Sequence, residues 1–172
     1  MTATILVAGI GNIFFSDDGF GPEVVRHLSS PDESALPDRV RLVDYGIRGM
    51  HLAYDLLDDY DALVLIDALP GRGDPAEVVV LEVGADDVSA EGELDAHGMG
   101  PVAVLSNLSA LGGRLPLTYV VGAQPLEVGE GIGLTEPMMA AVPLAAAAVR
   151  SLLTDTLGVA ALIPNRTPGR ME

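Results

Sequence analysis

Three short runs, residues 4–8 (TILVA), 40–44 (VRLVD) and 62–67 (ALVLID), constrain this chain more than anything else in it. They are rich in β-branched residues and are followed by turn formers, the kind of run that fills a parallel sheet covered on both faces. Helical patterns separate them. After the first, Pro22 suits a first-turn position and Val24, Val25 and Leu28 form an apolar stripe. After the second, residues 49–57 place Met50, Ala53, Leu56 and Leu57 on one face. The chain therefore begins as β-α-β-α-β.

A fourth strand is predicted at 77–83 (EVVVLEV). The link before it, ALPGRGDPA, is too short and too rich in Gly and Pro for a crossover helix, so this strand runs antiparallel. Residues 84–100 form a long acidic loop. The spacing of Leu105, Leu108 and Leu111 predicts a helix over 101–111, and 117–122 reads as the fifth strand. Thr135 caps a final helix that Pro143 is expected to kink or divide. The fold class is α/β, a five-stranded, mostly parallel sheet with one antiparallel strand. A single domain is expected over residues 1–156, with 157–172 a frayed tail rich in turn formers.

Composition narrows the chemistry. The 172 residues include no cysteine, which removes disulfides, thiolate metal sites, iron-sulfur clusters and a cysteine nucleophile, and fits a reducing compartment. All nine basic residues are arginine, so a phosphate-loop lysine and Schiff-base chemistry are excluded as well. A net charge of −16 opposes binding to nucleic acid or an anionic membrane. The apolar N-terminus has no basic flank or cleavage pattern, and the apolar run 138–149 is too short to span a bilayer. A soluble cytoplasmic protein is expected.

In open α/β sheets, ligands bind outside the carboxyl ends of the parallel strands. Asp17 and Asp18 leave strand one, Asp44 ends strand two and Asp67 ends strand three, so one sheet edge collects carboxylates. His97, in DAHGMG before a helix, lies in a loop that can reach the same edge. Two carboxylates and an imidazole suit a divalent cation with open coordination positions. Each residue also has a plainer role. Asp17 reads as a helix-entry cap, Asp18 serves equally as cap or ligand, Asp67 can anchor a turn, and His97 can cap its helix. His27 and His51 read as surface residues. GIGNIF lacks the third glycine of a dinucleotide loop. There is no HExxH helix and no GxSxG elbow, and aromatic residues at 4% are too few for sugar platforms.

The ordered blocks GIGNIFFSDDGFGPEVV, LVDYGIRGMHL, LVLIDAL, HGMGPVAVLS and VVGAQPLEVGEGIGLTEPMMAAVP resemble the maturation endopeptidases of nickel-iron hydrogenases. The resemblance runs from about residue 5 to residue 153. It implies a three-layer α/β/α sandwich and a protease that removes the C-terminal extension of the hydrogenase large-subunit precursor after nickel insertion. The family's metal trio falls on Asp18, Asp67 and His97, which would hold a divalent ion, nickel supplied by the nickel-loaded precursor. That ion would polarise the scissile carbonyl, activate water, or only position the substrate. Asp44 matches a family carboxylate that supports the site or holds its loop. Tyr45 and Ile47-Arg48 stand where the family shows smaller residues. A large-subunit chaperone that does not cleave, and a nucleotide-handling α/β protein, are the alternatives.

Overall fold

The computed structural model describes residues 4–71, 73–84 and 101–158. The strands are β1 (Ile5–Ile10), β2 (Val40–Gly46), β3 (Ala62–Ala68), β4 (Val78–Val83) and β5 (Leu117–Ala123), and the helices are α1 (Phe20–Leu28), α2 (Gly49–Asp55), α3 (Pro101–Ala110) and α4 (Glu136–Ser151). They form one sheet in the order β2-β1-β3-β5-β4. β1 pairs in parallel with β2 and β3, β3 pairs in parallel with β5, and β4 runs antiparallel to β5, as the short Gly/Pro link predicts. The acidic loop before α3 and the tail from residue 159 onward lie outside the described residues.

Every residue of β1 and β3 is buried. Their alternate side chains enter two separate cores. Ile5, Val7, Val64 and Ile66 pack with Phe20, Val24 and Leu28 of α1 and with Met138, Ala141, Ala145 and Val149 of α4. On the opposite face, Leu6, Ala8, Leu63 and Leu65 meet Leu52, Ala53 and Leu56 around α2 and Leu105 and Leu108 of α3. The period-2 alternation of a strand thus builds three layers, α1 and α4 on one side and α2 and α3 on the other. The connections from β1 to β2 and from β2 to β3 cross opposite faces. The strand order therefore reverses between β1 and β3, and this is the crevice where such sheets bind ligands.

Two expectations are corrected. The face of α2 is rotated: Leu52 is buried beside Ala53 and Leu56, whereas Met50 and Leu57 are exposed. Pro143 does not divide α4, which runs unbroken over 16 residues. Both Pro143 and Met139, whose carbonyl loses its donor, are exposed, so water can satisfy that carbonyl. With the π turn Leu152–Thr156 that follows, the helix reaches a length and apolar content sufficient to cross a membrane. Here its apolar stripe packs against α1 and the sheet instead.

Candidate active site

The loop leaving β1 turns back on itself through Gly11, whose φ of 142° suits glycine. A Cβ there would collide with the Asp18 carbonyl, and one on Gly21 would collide with the carbonyls of Ile10 and Ile66. The absence of side chains at these two positions lets the start of α1 sit directly over the ends of β1 and β3. A 3₁₀ turn, Ser16–Gly19, fills the space between, packed against β3. This turn carries both members of the acidic pair.

Asp18 is partly exposed, and its Oδ2 accepts the Asn12 backbone N–H at 2.9 Å. Asn12 in turn uses Oδ1 to accept the Phe14 N–H at 2.9 Å, which holds the loop in shape. Asp67, at the end of β3, is only 5% exposed. Burial pushes its carboxyl well above the usual carboxylate range; the negative charge of Asp18 pushes the same way, and the Ala68 N–H opposes them weakly. Among the described residues neither Asp18 nor Asp67 has an ion-pair partner. Two carboxylates close enough to interact, without a cationic partner among the described residues, would suit a bound divalent ion, which would remove the cost of ionising Asp67. Their oxygen donors suit a cation that exchanges readily.

His97 lies outside the described residues, and no group of three potential ligands forms among the described ones. The structure thus brings together two of the three residues singled out in the sequence.

Asp17 behaves differently from its neighbour. It is fully buried and does not cap a helix. Its Oδ2 accepts the N–H groups of Leu126 and Glu127 at 2.9 and 3.0 Å, and its Oδ1 accepts that of Thr135 at 2.7 Å. The Thr135 hydroxyl also donates to it, at 3.0 and 2.9 Å. Burial alone would raise this carboxyl, but the backbone donors of Thr135, Glu127 and Leu126, together with the hydroxyl, outweigh burial and leave it lowered. Thr135 occupies the N-cap position of α4, but its hydroxyl serves Asp17 instead of a helix N–H. No local pattern announces this role, because every partner is more than 100 residues away in sequence.

Asp44 is exposed and caps its own turn, Oδ1 accepting the Gly46 N–H at 2.8 Å, while the Arg48 guanidinium donates to its carbonyl. Gly46 then accepts the Gly11 N–H, so the loops after β1 and β2 are joined. Tyr45 points into the α2 side of the core, and its hydroxyl donates to Asp55 at 2.6 Å. Burial, then Asp55, holds its phenol well above the ordinary range. His27 and His51 face Glu33 and Asp55, remote from β3.

With a doubly wound sheet and a carboxylate pair at its switch point, the chain has the frame of a small α/β protein whose ligand site lies at the carboxyl edge of the sheet. A family model described as hydrogenase maturation protease matches residues 22–152. The hydrogenase 2 maturation protease of Escherichia coli is 30% identical over 159 residues, covering 92% of this chain and 94% of that protein. The coenzyme F420 hydrogenase subunit delta of Methanothermobacter thermautotrophicus is 30% identical over 162 residues, covering 91% and 96%. Among solved structures, the hydrogenase maturating endopeptidase HybD from E. coli aligns with a TM-score of 0.74 at 29% identity, covering 88% of this chain and 92% of that one. The chain belongs to the hydrogenase maturation protease family.

Proposed function

We propose that this protein removes the C-terminal extension of a nickel-iron hydrogenase large-subunit precursor, and that it acts on the precursor already loaded with nickel. The observation that carries the metal part of this reading is the pair Asp18 and Asp67, half-buried and buried at the switch point, with no ion-pair partner among the described residues. Asp18, Asp67 and His97 would complete the coordination shell of nickel brought by the substrate. Bound there, the ion supplies Lewis acidity toward a carbonyl or a water. Asp67 contributes a carboxylate that burial keeps from being solvated, and the Asn12 N–H fixes the Asp18 carboxylate through Oδ2. Because the site is complete only when the correct partner supplies the ion, other proteins are spared. The cytoplasm is the proposed location, consistent with a chain free of cysteine.

The test is incubation of the purified protein with nickel-loaded and nickel-free precursor under conditions that exclude contaminating metal. The loaded precursor is expected to lose its extension without added metal, and the nickel-free precursor to stay intact. Equal cutting of both removes the nickel requirement and leaves the protease standing. A precursor that is bound but never shortened would instead favour a chaperone.

A further inference from the structure

The loops after β1 and before α4 are joined by more than Asp17. Phe15 and Gly131 form a parallel bridge, the Gly131 N–H donates to the Phe14 carbonyl at 2.9 Å, and the Ser16 N–H donates to the Gly131 carbonyl at 2.8 Å. The Ser16 hydroxyl donates to the Gly129 carbonyl at 2.8 Å, and the Asp17 N–H to the Glu127 carbonyl at 2.9 Å. Two irregular segments thus become one braced platform immediately beside Asp18.

This platform is apolar and outward-facing. Ile13, Phe14, Phe15, Leu126, Val128 and Ile132 are all exposed, Phe14 at 59% and Ile132 at 80%. Exposed loops of a monomer seldom spend large apolar side chains this way, and a cluster of them marks a binding surface. The only charged side chains in the two segments are Asp17, Asp18, Glu127 and Glu130; neither contains Arg or Lys. A second copy of a chain with net charge −16 would be repelled, as would an anionic lipid or a nucleic acid. An apolar stretch carrying basic side chains is complementary to the platform in both respects.

We infer that residues 13–15 and 126–132 form the docking surface for the protein substrate, receiving an apolar, basic segment of the precursor next to the scissile bond. The inference rests on the reading of this chain as a protease of a hydrogenase precursor, and it adds to that reading the place and chemistry of recognition. Large apolar side chains seated on such a surface carry a disproportionate share of binding. Asp17 acts as a positioning residue, keeping both halves of the surface in register with Asp18.

The experiment compares wild type with Phe14→Ser, Ile132→Ser and the double variant, using the nickel-loaded precursor and reading Kd by titration and KM and kcat by cleavage. Leu144→Ser, on the exposed side of α4 at 63% exposure, is the control. Circular dichroism verifies folding of each variant. Ile132→Ser is expected to weaken Kd and raise KM at least tenfold, Phe14→Ser somewhat less, with the loss appearing in Kd and KM rather than kcat. Leu144→Ser should match wild type. Precursor affinity unchanged in the double variant would overturn the inference, as would equal weakening by Leu144→Ser. So would a wild-type dimer in sedimentation that Ile132→Ser dissociates with no change in Kd for precursor. If wild type binds precursor without cutting it, the protease reading fails while Kd still decides the docking surface.

Discussion

Asp17 and Asp67 are both buried carboxylates, and their surroundings are opposite. Asp17 is saturated: three backbone N–H groups and a hydroxyl converge on it, and its carboxyl is lowered. Asp67, among the described residues, has the Ala68 N–H as its favourable contact, lies under the influence of Asp18, and its carboxyl is raised. A carboxylate saturated by backbone donors holds structure in place, whereas one raised by burial and a like charge at a sheet edge is poised for chemistry. The contrast is sharper because Asp18, the residue adjoining Asp17, sides with Asp67.

The largest effect that would sharpen this comparison is on processing. Asp67→Asn retains size but loses charge, and should cut precursor cleavage by roughly 10³-fold or more in a single-turnover gel assay. His97→Ala should do the same. Near-normal cleavage by Asp67→Asn would return Asp67 to a turn anchor.

The next effect is on stability. Asp17→Ala leaves three partly buried N–H groups, those of Leu126, Glu127 and Thr135, without their acceptor and should cost about 2–4 kcal/mol in urea unfolding, since each orphaned donor carries a desolvation cost of about 1–3 kcal/mol when buried. A cost below about 1 kcal/mol would mean that water replaces the carboxylate and the brace is dispensable.

A smaller effect of opposite sign is expected when nickel-free Asp67→Asn is unfolded at neutral pH, a gain of about 1 kcal/mol, because Asn carries no ionisation for burial to disfavour. The two carboxylates also differ with pH. Asp17 has a folded pKa below its unfolded one, so its contribution is full above the unfolded value of about 4 and is lost as pH falls through the folded one. Asp67 has a folded pKa above its unfolded one, so its cost is absent below about pH 4 and complete once pH has risen through the folded value. Thermal scans between acid and neutral pH should therefore show the Asp67→Asn advantage vanish in acid. An advantage that persists there would assign it to something other than ionisation.

The smallest effects belong to the half-buried imidazole of His27 and the exposed one of His51. His27→Ala and His51→Ala should change stability by no more than about 0.5 kcal/mol and leave cleavage intact, because their ion pairs lie at the surface.

Much of the architecture was legible because short β-branched runs alternating with helical stripes leave few solutions. The antiparallel β4 followed from a link that cannot hold a helix. The face of α2 was misread because its seven residues make only two turns, and Leu52 competes with Met50 for the core. Pro143 looked like a break because exposure of the Met139 carbonyl is a tertiary fact that sequence does not carry. The placing of Asp18 near Asp67 was readable from their positions after β1 and at the end of β3. Asp17 was misread as a helix cap because its hydrogen bonds reach across the whole chain.

That reach also bears on when the enzyme comes into being. The N–H groups that seat Asp17 lie 109, 110 and 118 residues downstream, in the last third of the chain. A ribosome that has delivered β1, β2 and β3 has already made Asp18 and Asp67, yet nothing then holds the loop between β1 and α1 against its brace. Contacts of such long sequence separation form late in folding. The brace around Asp17 therefore cannot close in a nascent chain until β5 and the segment before α4 have emerged, so the order of synthesis sets when this part of the site takes shape.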